Sequence, residues 1–193
     1  MDKVLFLFQR KNGLTHEEFA EHYLEVHAPL GQRVTVTMVG YTVNIVESDD
    51  DDAPDAITEI WTASMADFFD PAKSFATPED AAELMADHDS FIGPYDAYAV
   101  EERVIVGGAP EGPLGTRAAG VKVVSLYRDE AEVPPPSMGA TRVVDQRVLQ
   151  GITPDAPPLA LIRSTWATDA AALGVLTPDD HLVGEYRRME PAE

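Results

Sequence analysis

The chain has no cysteine among its 193 residues. That excludes disulfides, a thiol nucleophile and any thiolate metal site. Basic residues are scarce: 14 Lys and Arg stand against 34 Asp and Glu, giving a formal net charge of −20. A surface of that sign repels phosphate backbones and anionic lipid, so neither nucleic acid nor a membrane is an expected partner. No apolar run reaches the ~18 residues of a membrane span. The opening "MDKVLFLFQR" has no small-residue cleavage site and reads as a strand, not a signal peptide. A cytoplasmic location is the default expectation.

Other absences narrow the chemistry. There is no Gly-x-Ser-x-Gly elbow. "VGGAPEG" has no following helix and lacks the Lys-Ser/Thr of a phosphate loop, so flavin and nicotinamide have no support. His16, His22 and His27 are spaced six and five apart, where two ligands on one helical face need a spacing of three or four. The run Asp49 to Asp52 lacks the spaced ligands and glycine of a calcium loop and reads as a solvated hairpin tip. The expectation is no metal and no cofactor.

What is present is enough apolar sequence, 45% of residues, for a packed core. The stretch Val106 to Gly120, "VGGAPEGPLGTRAAG", is dense in Gly and Pro and has no periodicity. It marks a linker at 108–117 between residues 1–107 and 118–193. In the first part, Val4 to Gln9 reads as a strand with both alternating sets apolar, so both sheet faces should be covered. Thr15 and Glu18 form a capping box for a helix that Pro29 should stop near Val26 or His27. Strands follow at Arg33 to Val46 and Ala56 to Ala63. A short helix starts at Ser64 and runs through Phe69. Thr77, Pro78 and Asp80 open another, running to about Phe91. Tyr98 to Val106 is the fourth strand. The order β-α-β-β-α-β predicts an α+β ferredoxin-like plait with one open apolar sheet face.

Residues 118–193 read as a worn copy of that unit. "KVVSLYRDE" echoes "KVLFLFQRK", "LALIRSTWATDAAAL" echoes "ITEIWTASMADFF", "TPDD" echoes "TPED" and "VGEYRRM" echoes "VEERVIV". The first helix is replaced by "EVPPPSMG", whose prolines cannot be helix interior. A duplicated sheet would cover the open face of the first and close a pseudo-dimeric α/β barrel within one chain. The alternative is a homodimer pairing two first sheets. The missing helix leaves one functional cleft per chain.

The stretch "KNGLTHEEFAEHYLEVHAPL" resembles the opening of EthD-domain proteins, members of the dimeric α/β-barrel superfamily. It carries the Gly-Leu-Thr, the Glu-Phe and the closing His-Ala-Pro-Leu, but His22-Tyr23 departs from the family's usual Tyr-Trp pair. "GYTVNIV" is similar to the family's Tyr-x-x-Asn strand through Tyr41 and Asn44. "EIWTASMADFF" looks like its passage from strand three to helix two, and "FATPEDAAELMADHDSF" like its second helix, with Asp87 and Phe91 at the usual spacing. The resemblance covers roughly residues 1–106. It implies a small-molecule role: EthD domains occur beside oxidative ether degradation, and relatives include polyketide dehydratases, isomerases, cyclases and cofactor-free monooxygenases. Some relatives in the superfamily bind haem, but no histidine here stands in a clear axial-ligand context. Fold does not choose among these activities.

At ~100° per residue from Phe19, Tyr23 falls near 40° and Val26 near −20°, His27 near 80° and His22 near −60°. The two histidines therefore border the buried stripe from opposite edges. His27 is the candidate general acid or base, poised in the last turn at the mouth of an apolar cleft. The plainer alternative is a histidine that only fixes the turn into Pro29. Tyr41 would polarise a carbonyl or enolate oxygen. Tyr41 and Asn44 point to opposite faces of their strand, because three is odd. Candidate lining or contact residues are Phe6, Phe8, His22, Tyr23, Asn44, Trp61 and His88. For Trp61 and the phenylalanines core packing is the competing reading, and for His88 plain exposure. The expected activity is acid–base chemistry without a cofactor (dehydratase, isomerase or cyclase) on an apolar oxygenated or aromatic metabolite. The alternatives are a non-catalytic binding protein of an oxidative pathway and an oxidoreductase.

Overall fold

The computed structural model of the chain describes residues 1–48, 50, 52–108, 112–174 and 176–191. Asp49 and Asp51 of the acidic run and residues 109–111 of the linker lie outside the described residues.

Strand β1 (Asp2–Arg10) is buried from Lys3 to Phe8. Its two apolar sets enter two different cores. Val4, Phe6 and Phe8 pack with Phe19, Tyr23 and Phe91 beneath the helices. Leu5 and Leu7 pack with Ile57, Tyr98, Val124 and Ile162 inside the barrel. After β1, the Thr15 side chain accepts from Glu18 N at 3.2 Å while the Glu18 carboxylate accepts from Thr15 N at 2.8 Å, starting α1 (His16–His22).

Pro29 does not stop the helix. One wide π-helical turn spans Tyr23–His27 and the chain continues as α2 (Ala28–Val34). Proline has no N–H to give to the preceding turn, and the wide turn makes room for its ring where ordinary helical register would set it against the carbonyl four residues back. The second strand is correspondingly shorter than its β-branched composition suggests: β2 is Met38–Val46. Then come β3 (Ala56–Thr62), α3 (Met65–Phe68), α4 (Pro71–Ser74) and α5 (Pro78–Phe91). Thr77 caps α5 by accepting from Asp80 N at 3.1 Å. Strand β4 (Ile92–Val106) begins directly after α5, earlier than the expected Tyr98. The second part supplies β5 (Val121–Tyr127), β6 (Ala140–Gly151), β7 (Leu161–Ala167) and β8 (Asp180–Met189). Its only helical pieces among the described residues are 3-10 turns at Glu130–Glu132 and Ala170–Leu173.

The eight strands form one closed antiparallel barrel, in the order β1-β3-β2-β8-β5-β7-β6-β4. The first part contributes β4-β1-β3-β2 and the second β8-β5-β7-β6, so the strand order repeats. The seams are β2–β8 and β4–β6. The apolar face left open by the first sheet is thus covered by the second within the same chain. No helix of the described residues is long and apolar enough to cross a membrane.

The barrel interior also holds a buried ion network built from matching residues of the two parts. Lys3 and Lys122 each reach one oxygen of Glu59 at 2.6 Å. Lys3 also binds Glu102, and Lys122 binds Glu185 at 3.0 Å. Each ammonium lies over a tryptophan, Lys3 4.0 Å from the Trp61 ring centre and Lys122 4.4 Å from that of Trp166. Burial alone would raise the Glu59 pKa, but the two ammonium groups outweigh it and hold the carboxyl below its ordinary range.

Candidate functional site

The site is set by the wide turn between α1 and α2. In an unbroken α-helix, residues five apart diverge by about 140°. Here the Ala28 amide reaches back to Tyr23 O, one residue further than usual. That extra residue turns His22 and His27 toward one side, correcting the expectation that they border the buried stripe from opposite edges. His22 Nε2 and His27 Nδ1 hold the two oxygens of the same carboxylate, Asp87 of α5, each at 2.8 Å. The carboxylate can only accept, so both nitrogens are donors in the neutral rings. His27 is left with a lone pair on Nε2.

His27 lines a hollow of about 300 Å³ between the helices and the sheet. Phe6 and Phe8 stack at 5.3 Å with planes 3° apart and form its floor with Tyr23, Tyr41 and Ile60. The His88 ring meets Phe8 edge-on. Phe69, Pro71, Met85 and Tyr95 are its exposed members, and they leave it open to solvent. A few hydroxyls interrupt this apolar lining. Tyr23 OH lies 2.6 Å from Thr58 Oγ1 and also bonds to Tyr41. An apolar hollow with a few convergent polar groups is the usual form of a small-molecule site.

Burial governs the titration of these groups. It lowers His27 to about 4, and the Asp87 hydrogen bond and charge offset only part of that drop. At neutral pH the ring is an uncharged base. Burial lifts Tyr23 to about 12 and Tyr41 well above its ordinary value, so both phenols stay protonated and can donate. Burial also lowers His88.

Among the residues singled out in the sequence, the structure brings His27, Tyr41, Tyr23, Phe6, Phe8 and His88 together around this hollow. His22 stands behind Asp87, a third exposed, and does not line it. Asn44 and Trp61 are not part of this group. Asn44 points into the barrel, where its amide donates to Ile57 O at 2.7 Å. Trp61 packs there on Lys3. Both face the other side of the sheet because side chains alternate along a strand. Sequence reasoning missed Asp87 and Thr58. Asp87 was visible only at its family spacing, as a neighbour of His88, and the turn that aims two histidines at it has Pro29 as its one local signal.

Another hollow, of about 470 Å³, lies over β5 and β7 beside the proline segment. Arg163 enters it, bound through two nitrogens to Asp145 and through a third to Pro134 O. No imidazole lines it.

Comparison with known proteins agrees with this architecture. The chain is similar in structure to a Lactobacillus acidophilus NCFM protein assigned as a monooxygenase, with a TM-score of 0.54 and 8% identity over 100% of this chain and 97% of that one. It is also similar to an anthrone oxidase-like protein, with a TM-score of 0.58 and 14% identity over 100% and 96%. Likeness at such identity speaks for the fold alone: a mixed α/β architecture of the dimeric α/β-barrel kind. No curated protein matches the sequence. Residues 11–94 match the EthD domain family, and this span includes α1, the wide turn, β2, β3 and α5. The matched span supplies most of the residues around the His27 hollow, with Phe6, Phe8 and Tyr95 lying just outside it.

Proposed function

We propose that the chain is a small-molecule enzyme whose reaction starts with proton transfer to His27, between the helices and the outer face of a barrel made of two ferredoxin-like plaits, the second degenerate. The observation that carries this reading is the placement of His27: a neutral imidazole fixed by Asp87 through Nδ1 and lining an apolar hollow shared with Tyr41. In this reading His27 Nε2 takes a proton from a carbon next to a carbonyl. Tyr41 donates a hydrogen bond to the oxygen on which negative charge develops. In a dehydration the same proton then passes to a departing hydroxyl, which leaves as water. In an isomerisation or cyclisation it returns to another atom of the substrate. The hollow suits a flat, apolar, oxygen-bearing molecule, an aromatic or polyketide-like metabolite, because stacked Phe6 and Phe8 offer a flat face. Acid–base help of this type supplies roughly 10²–10⁴-fold, so the substrate must already be activated.

The names of the structural relatives favour a second reading, in which the carbanion formed by the same proton transfer gives its electrons to dioxygen: a C–O bond forms, the peroxide takes up the proton, and loss of water across its O–O bond and the remaining C–H bond leaves a new carbonyl. Both readings need His27. A panel of hydroxylated polycyclic ketones and anthrones, incubated with and without oxygen, separates them. Dehydration proceeds anaerobically with loss of water from the product mass, while oxygenation stops. In either case His27→Ala should retain ligand binding and lose turnover. A ligand that binds and is never changed would make the protein a carrier and overturn both.

A further inference from the structure

We infer that Arg188, on the last strand of the second part, is a positioning residue for His22 and His27. This rests on the reading of His27 as the acting base. The wide turn leaves a carbonyl short of a donor. The Ala28 amide goes to Tyr23 O, so the next donor in that pattern, for Leu24 O, would be residue 29. Residue 29 is proline and has no N–H. The Arg188 guanidinium fills the gap, donating from Nη2 to Leu24 O.

Arg188 reaches that carbonyl because of a bulge. Tyr41 pairs with Met189 and Thr42 with Arg187, so Arg188 is the extra residue opposite no partner on β2. A bulge of this kind re-aims a side chain, here out of the barrel wall toward the helices. The backbone of the same residue is also used: Gln32 Nε2 of α2 donates to Arg188 O at 2.8 Å. One residue of the second part thus holds the turn on one side of His27 and the following helix on the other. Its charge acts on the Tyr41 hydroxyl as well, opposing the rise caused by burial. The degenerate repeat is on this account more than a cover for the open sheet face. It sets the register that points both imidazoles at Asp87.

The experiment is proton NMR of the ligand-free full chain, following the ring N–H signals of His22 and His27 that Asp87 holds against exchange with water. In Arg188→Met the His22 signal should be lost and the His27 signal shifted, as the turn relaxes toward ordinary helical register. In Arg188→Lys, where an ammonium can still donate to Leu24 O, both should be recovered in part. Both signals unchanged in a folded Arg188→Met, or a lowered melting temperature with both signals intact, would overturn the inference and leave Arg188 a merely stabilising residue. If Arg188→Met does not fold, Arg188→Lys and Gln32→Ala are read instead: intact signals at full strength in both overturn it, and weakened ones support it. No substrate enters this test, so its failure is distinct from a failure to find turnover.

Discussion

Asn44 and Gln146 occupy matching places in the two parts, each opposite an isoleucine of the neighbouring strand, Ile57 and Ile162. Each donates its amide to a different oxygen of Glu59, at 3.1 and 3.2 Å. Glu59 is held by two pairs of equivalent residues, the amides and the lysines, while its own counterpart in the second part is Ser164. A carboxylate at both positions would set two negative charges against each other in the same buried space. With serine at the second position, three carboxylates, Glu59, Glu102 and Glu185, face two lysines.

Glu59→Gln should therefore destabilise the fold. Lys3 and Lys122 would each keep one carboxylate, Glu102 or Glu185, but lose the shared one. Removing one member of a buried pair costs about 3–5 kcal/mol. Denaturant unfolding should show that loss with the His27 hollow still intact in the folded fraction. A change below ~1 kcal/mol would mean that the network behaves like a solvated one.

The His27 imidazole makes stability depend on pH in a defined window. Its folded value near 4 lies below the ordinary 6.5. Below pH 6.5 the unfolded chain takes up a proton that the folded chain refuses. Stability is therefore unaffected above 6.5, falls as pH drops toward 4, and stops falling from this source below 4. The full loss is about 3 kcal/mol. Unfolding curves of the native chain and His27→Gln, compared from pH 7 to pH 4, isolate it: the difference between them should shrink or change sign by that amount.

Asp87→Asn tests the orientation of the base. The amide can still face an imidazole but carries no charge to hold the ring or to oppose the effect of burial. The acid limb of the activity profile, expected near pH 4 in the native chain, should move lower. Turnover should drop about 10²-fold or more with little change in ligand affinity. Equal loss of affinity and turnover would instead indicate a collapsed hollow.

Pro29→Ala tests the cause of the wide turn. An alanine restores an N–H and removes the ring that clashes with the carbonyl four residues back. The helix should tighten to ordinary register, carrying His22 by about 100° away from Asp87. A crystal structure or the His22 ring N–H signal would show it. Persistence of the turn in this variant would place its origin in α5 packing and Arg188 alone.

Tyr23→Phe leaves Thr58 Oγ1 without its 2.6 Å partner in a buried place. A loss of about 1–3 kcal/mol follows for an unsatisfied group. Tyr41→Phe should mainly reduce turnover.

The residues alone determined most of the strands, the capping box at Thr15, the N-cap at Thr77 and the chemistry available to the chain. These depend on local patterns: alternation, β-branched runs and side chains that bond to amides three residues away. They also determined that only one of Tyr41 and Asn44 could face the helices with His27, without saying which. Only the tertiary structure decided that Asp87 joins two histidines, that Asn44 and Trp61 belong to the barrel interior, and that Arg188 reaches the turn. The first and the last depend on a shift of one residue, in a π-turn or a β-bulge, that rotates or re-aims the side chains, and the placement of Asn44 and Trp61 depends on which face of the sheet the helices cover. Such a shift is chosen by long-range partners rather than by the stretch in which it occurs.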